Sequence, residues 1–479
     1  MPGSALKAAP PAEARAGLIG DNVNINKRGV HDMSDIAAAG VLAAPRSRRV
    51  KDLIAVNFGN TLEWFDWTIY TIFAPYFALQ FFPSADKSAA LLAALAVFAA
   101  GFLTRPLGGF LFGLYADRVG RKKSLTLAMF ITAGGSLVIA LAPTFATVGL
   151  AASVILLVAR LAQGIAHGGE MGTSVTYLVE RAPRHRRALY GSTSWMSVVL
   201  GTMIATVTGL LLNATLGRPA LESWGWRIPF VLGGLLGFYG LYLRRKLTET
   251  DSFAKVQAQG AKTATGLGPL LRNWRGVAVV FGLSAGGSIM FYTWLIYSPT
   301  FAQISRGLDA TSALTASLIA QAVFFVAIPA VGWLADRYGR RIFIILFGLG
   351  FIAATLQLDG MITNSFSGLL TAMICALLIL ACLFGVNTAV WAEVFPTSVR
   401  ATGVSGPLSL ATAIFGGTAP YVNTYLSQTG EHRLFLFYLM FVAGITLLTG
   451  LLIPETRELD LDRPDTGRLS NAPSAPQFR

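Results

Sequence analysis

From residue 53 onward the chain alternates between long apolar stretches and short polar ones. The apolar stretches lie at about 53–77, 89–114, 125–141, 148–177, 190–212 and 228–243. After a polar interval from Arg244 to Arg275 they resume at 276–301, 314–334, 342–361, 366–391, 404–426 and 435–453. Most reach the ~20 residues that a bilayer-spanning helix needs. The pattern predicts an all-α membrane protein with twelve transmembrane helices and both termini on one side. Residues 1–50 read as a polar N-terminal tail without the apolar core of a signal peptide. Residues 51–245 read as a first six-helix bundle, 246–275 as a linker loop, 276–455 as a second bundle and 456–479 as a C-terminal tail.

Composition narrows the class. Hydrophobic residues make up 54% and charged residues 13% of the chain, against ~25% charged in ordinary soluble domains. That excludes a soluble enzyme, a nucleic-acid binder and a disordered chain. The net charge of +14 is a matter of topology: of 38 Lys and Arg, 31 fall on the side of the termini and five on the other. By the positive-inside rule both termini are cytoplasmic. Cys375 and Cys382 are seven residues apart in one apolar stretch, ~10.5 Å along a helix and too far for a disulfide. No nucleophile triad, phosphate loop or metal-ligand spacing appears, so no enzyme, metal or cofactor is expected.

The two bundles repeat each other. Gly113-Leu-Tyr-Ala-Asp117-Arg118-Val-Gly120-Arg121 recurs as Gly332-Trp-Leu-Ala-Asp336-Arg337-Tyr-Gly339-Arg340, offset by 219. Glu180 with Arg187-Ala188 recurs as Glu393 with Arg400-Ala401, offset by 213. Duplicated halves around a midplane site are the architecture of rocking transporters.

These loops resemble the signature of the major facilitator superfamily. Several further stretches are similar to the metabolite:proton symporter family within it. They are Gly59-Asn60-Thr61-Leu62-Glu63-Trp64-Phe65-Asp66-Trp67, Arg160-Leu-Ala-Gln163-Gly164, Gly168-Gly169-Glu170 and Trp224-Gly-Trp226-Arg227. Ser288-Ile-Met-Phe291-Tyr292-Thr293 and Ile414-Phe415-Gly416-Gly417 resemble a branch that carries 2-oxoglutarate. The resemblance implies a proton-coupled importer of an organic anion in the inner membrane, a monomer whose partners are that anion, H⁺ and the bilayer. It implies gating roles for Asp117, Arg118, Arg121, Asp336, Arg337 and Arg340, with each Asp holding a neighbouring helix end. It also brings Tyr292 and Arg227 into the substrate path. A dicarboxylate is the best-fitting substrate; proline or betaine, a monocarboxylate or an aromatic acid are alternatives within the family, and a non-transporting sensor is one outside it.

Polar residues inside the spans carry the chemistry. Glu63, Asp66, Trp67 and Tyr70 share a helical face by their spacing. A carboxylate deprived of water resists ionisation, which suits Glu63 or Asp66 to proton coupling. Arg105 lies twelve residues before Asp117, ~18 Å deep along a helix. It requires a carboxylate, either a permanent partner in Glu63 or Asp66 or the substrate's own. Arg160, Gln163, His167, Glu170 and Ser174 form one polar stripe on the fourth span, beside a small-residue stripe at Gly164, Gly168 and Gly172. Arg160 and Glu170 read as structural ion pairs, Gln163 as a substrate contact, and His167 as a proton relay, a substrate contact or a buried core histidine.

Overall fold

The computed structural model describes residues 46–84, 87–245, 249, 267–459 and 461. The N-terminal tail up to residue 45, most of the 246–275 linker and the C-terminal tail beyond 461 lie outside the described residues. In the first half the helices are α1 (Arg46–Phe81), α2 (Lys87–Val119), α3 (Arg121–Leu141), α4 (Leu150–Arg181), α5 (Arg187–Ala220) and α6 (Arg227–Arg245). In the second, α7 (Trp274–Met290) passes through a π turn, Phe291–Tyr297, into α8 (Ser298–Arg306). Then come α9 (Ala310–Tyr338), α10 (Arg341–Met361), α11 (Phe366–Phe384) and α12 (Asn387–Glu393). A second π turn, Thr412–Gly416, joins α13 (Arg400–Ala411) to α14 (Ala419–Gln428), and α15 (His432–Leu452) ends the bundle.

Nine described helices are long and apolar enough to cross a membrane, and a tenth is the α6 span with the helix bent 75° before it. The two remaining spans fail for identifiable reasons. α1 spends Asn60, Thr61, Glu63, Asp66 and Thr68 on polar positions, and the eleventh span is broken after its π turn by a non-helical turn at Gly417 and Thr418, leaving pieces shorter than a bilayer.

Helices run past the apolar stretches at several mouth-side ends, because charged residues continue a helix as well as apolar ones do. Asp117 and Arg118 therefore lie in the last turn of α2, and Asp336 and Arg337 in the last turn of α9, rather than in loops. Only Gly120 and Gly339 make the turns, with φ of 104° and 102°, a region that side-chain-bearing residues avoid. Gly113 and Gly332 are helical instead and serve close packing. A Cβ at Gly113 would stand 2.7 Å from Thr402 Cα, and one at Gly332 3.0 Å from Ala188 O.

Packing repeats between the halves. α2 packs on α4 as α9 packs on α11, and α3 packs on α6 as α10 packs on α15. Across the interface α2 meets α13 while α9 meets α5. The interface is close because it is lined by small residues: Ser409 Oγ donates to Gly168 O at 2.8 Å from the other half.

Candidate functional site

Seven polar side chains of the first half converge in its interior: Glu63, Asp66, Arg105, Arg160, Gln163, His167 and Glu170. None is more than 2% exposed. With no water to solvate them, each charge needs a partner within the protein. Three pairs result. Arg160 Nη1 lies 3.0 Å from Asp66 Oδ2, where Gln163 Nε2 also donates at 3.1 Å and Ser136 donates to Oδ1. Glu170 pairs with Arg244. His167 Nδ1 stands 2.6 Å from Glu63 Oε1, close but not aligned as a hydrogen bond.

Arg105 is left over. Among the described residues its guanidinium has no carboxylate partner. Among those residues its one side-chain hydrogen bond is a long 3.5 Å bond from Nη1 to the Tyr292 hydroxyl of the other half. Nε and Nη2 have no hydrogen-bond acceptor. The charge rests instead on aromatic faces, 3.6 Å from the Phe102 ring centroid and 4.3 Å from that of Trp67, a cation–π arrangement. Of the two readings of Arg105, the permanent pair with Glu63 or Asp66 is not formed among the described residues. α4 supplies Arg160 to Asp66 and His167 to Glu63.

Other candidates fall in two groups. Tyr292 belongs with Arg105. Tyr70 and Gln163 belong with Asp66 and Arg160: the Arg160 guanidinium lies 4.2 Å over the Tyr70 ring, and the Tyr70 hydroxyl donates to Ala94 O at 2.8 Å. Gln163 is fully engaged on its amide nitrogen, donating also to Thr132 O at 3.1 Å and to Ser136 Oγ at 3.2 Å. Arg227 is removed from the site. It donates to Ala140 O at 2.5 Å and Ala142 O at 2.9 Å, capping the carbonyls that the end of α3 leaves open. Arg244, read from sequence as the start of the polar interval, is instead buried in α6, donating to Leu125 O at 2.9 Å as well as pairing with Glu170.

At one end of the bundle two matching lattices brace the halves. Asp117 accepts from Ala401 N at 3.1 Å, Thr402 N at 2.9 Å and Thr402 Oγ1 at 2.7 Å, capping the first turn of α13. Asp336 accepts from Ala188 N at 3.0 Å and Leu189 N at 2.9 Å, capping α5 in the same way. An acidic cap complements the positive end of a helix. Arg121 joins Asp117 at 3.3 Å and Glu180 at 3.4 Å; Arg340 joins Asp336 at 3.1 Å and Glu393 at 3.2 Å. Glu180 reaches Arg400 of the other half at 2.6 Å, and Glu393 reaches Arg187 at 3.7 Å. Arg118 and Arg337 are exposed and stand outside these lattices. Glu180, Glu393, Arg187 and Arg400 belong to them, and their recurrence at one offset was the signal in the sequence.

Two six-helix halves, joined across a buried unpaired cation and braced at one mouth by a duplicated ionic lattice, define a secondary transporter rather than an enzyme. The chain belongs to the Major Facilitator Superfamily, whose family model matches residues 56–405. It is 38% identical to the alpha-ketoglutarate permease of Escherichia coli over 85% of this chain and 94% of that one. It is 36% identical to a citrate-proton symporter of Klebsiella pneumoniae, over 87% and 94% of the two chains. A proline/betaine transporter of Salmonella typhimurium is 32% identical, over 85% and 83%. Among solved structures, the proton:xylose symporter XylE superposes with a TM-score of 0.73 at 17% identity, over 87% of this chain and 98% of that one. That likeness concerns the fold. The protein is a multi-pass membrane transporter of twelve helices in two pseudo-symmetric bundles.

Proposed function

We propose that this protein imports an organic acid together with protons by alternating access, and that 2-oxoglutarate or a related dicarboxylate is its substrate. The observation that carries the reading is Arg105, a buried guanidinium with two unsatisfied nitrogen atoms and an aromatic bed. Its planar fork suits a carboxylate. Glu63 and His167 stand beside it with a short contact that one added proton would rearrange. The His167 ring lies 5.5 Å from those of Trp64 and Trp67, and Trp67 also underlies the Arg105 guanidinium. Drawing an anion into an inside-negative cell costs ~2.3 kcal/mol per charge per 100 mV, so a coupled cation is required. The names of the relatives, two organic-acid carriers among them, point to H⁺ and to the same substrate class.

In this reading Asp117, Arg121, Asp336 and Arg340 are gate residues that hold the mouth closed. The mouth faces the cytoplasm, as do the termini, by the excess of Lys and Arg there. Uptake of labelled 2-oxoglutarate, citrate, proline and betaine by cells producing the protein tests the proposal, with and without an uncoupler. Accumulation of a dicarboxylate that collapses with the proton gradient and ignores Na⁺ is the expected result. Accumulation of proline or betaine alone, or uptake indifferent to the uncoupler, contradicts it.

A further inference from the structure

The seventh and eleventh spans are each divided by a π turn, and the two divided spans touch. The hydroxyls of Ser288 and Thr412 are 3.0 Å apart, and Gly416 lies against the Tyr292 ring. Beyond the turns, α8 and α14 run to the end of the bundle opposite the Asp117 and Asp336 lattices. There they converge on one histidine, His432, the first residue of α15. Its Nε2 lies 2.9 Å from Asp359 Oδ1, near the end of α10, and its Nδ1 lies 2.9 Å from Ser427 Oγ on α14. Its ring stacks on Phe301 of α8, with centroids 5.0 Å apart and planes 17° from parallel. Arg306, at the end of α8, stands 3.7 Å from Asp359 Oδ2. A small cavity is lined jointly by this cluster and by Thr293 and Trp294 of the π turn. Among the described residues, Thr293 Oγ1 and Trp294 Nε1 are buried there without hydrogen-bond partners.

We propose that His432, Asp359 and Ser427 form a second proton-binding site, a latch that holds the outer segments α8 and α14 in place while the imidazole is doubly protonated. The proton inventory supports it. Ser427 Oγ donates to Asn423 Oδ1 at 3.2 Å, and in that arrangement it faces His432 as an acceptor. Asp359 is also an acceptor. With the serine so arranged, both ring nitrogens donate, as they do in the imidazolium. Loss of one proton removes one of the two bonds, or forces the serine hydroxyl away from Asn423.

The charged groups facing the ring are Asp359 from α10 and Arg306 from α8. α14 contributes the neutral Asn423 and Ser427, and Glu431 and Arg433 flank His432 in exposed positions. Imidazoles change charge between roughly pH 5 and 8. Opening of this end would therefore depend on the pH of the solution it faces, through a group outside the Arg105 site. The π turn that carries Tyr292 is the element common to both.

Thiol labelling tests the latch in the purified full-length protein, with Cys375 and Cys382 replaced by Ala. A cysteine is placed by Ala302→Cys on α8, where Ala302 is fully buried. Its maleimide rate is divided by that of Ser305→Cys, an exposed neighbour, which removes the intrinsic pH dependence of the reagent. The ratio should rise about fivefold from pH 5.5 to pH 8, the size expected for loss of one hydrogen bond. His432→Gln should make it high at both pH values. A flat ratio in the parent, or an unchanged rise in His432→Gln, overturns the proposal. If His432→Gln does not purify, Ser427→Ala decides: a rise equal to the parent's overturns the latch, and a diminished one supports it. Uptake is not read in this experiment, so its outcome is independent of the transport proposal.

Discussion

The mouth of the bundle and its interior treat the internal duplication in opposite ways. At the mouth, each element of one half has its counterpart in the other: Asp117 and Asp336 cap α13 and α5, Arg121 and Arg340 join them, and Glu180 and Glu393 close each lattice. In the interior the symmetry is abandoned. At the repeat offset of 219, the position of Arg105 is taken by Phe324; at the offset of 213, Arg160, His167 and Glu170 are replaced by Met373, Leu380 and Leu383. All four replacements are fully buried. In the proposed alternating-access cycle both halves grip and release each other at the mouth, which calls for the mechanical parts twice. A carrier of one anion needs a single buried charge site, and a second set of interior charges would have to be desolvated without use.

The largest expected effect breaks the comparison at Arg105. Arg105→Lys keeps the charge but loses the planar fork, and initial uptake normalised to protein in the membrane should fall about 100-fold or more. Phe324→Leu, at the matching position, should leave uptake normalised to protein in the membrane within about threefold, because it exchanges one apolar core side chain for another and removes no charge.

Asp66→Leu should strand Arg160 and lower stability by ~3–5 kcal/mol, the cost of breaking a buried pair. Thermal unfolding in detergent measures it. Adding Arg160→Met should restore most of the loss, because the second half already uses Met373 at that place. Transport by the double variant should remain poor. A double variant no more stable than Asp66→Leu would show that the interior charges are not exchangeable for apolar packing.

At the mouth, Asp117→Asn and Asp336→Asn should each slow turnover about tenfold while leaving substrate Kd within about threefold, since each lattice lies far from Arg105. Their combination should fall short of the product of the two, as coupled sites do. The smallest effect belongs to Arg118→Ala and Arg337→Ala. Exposed and outside the lattices, they should change turnover by less than about twofold. A large loss there would return them to the gate.

The spans, the duplication and the interior charges were legible in the sequence because each leaves a long or rare signal. A 20-residue apolar run, a nine-residue repeat and an arginine inside a span seldom arise in soluble or unduplicated chains. The pairings were not legible. Glu63 and Asp66 share one face of α1, so spacing offered both to Arg105, but spacing on one helix does not say which neighbour crosses it. α4 crosses there, with Arg160 and His167 about two turns apart along its axis. Arg244 escaped notice because it ends an apolar stretch and begins a polar one, which reads as a loop. Arg118 and Arg121 looked equivalent for a similar reason. The helix end and Gly120 fall between them, leaving one in solvent and the other buried.

Whether Arg105 holds the anion is decided by equilibrium binding to the purified full-length protein. The ligand is whichever of 2-oxoglutarate and citrate the parent binds, and titration calorimetry in two buffers of different ionisation enthalpy gives affinity and proton uptake together. The parent should take up about one proton per anion, and Arg105→Lys should weaken binding about 30-fold, with Asp117→Asn within about threefold of the parent. If Arg105→Lys binds the anion as tightly as the parent does, with the same proton uptake, the unpaired guanidinium is not the anion site and the account is wrong.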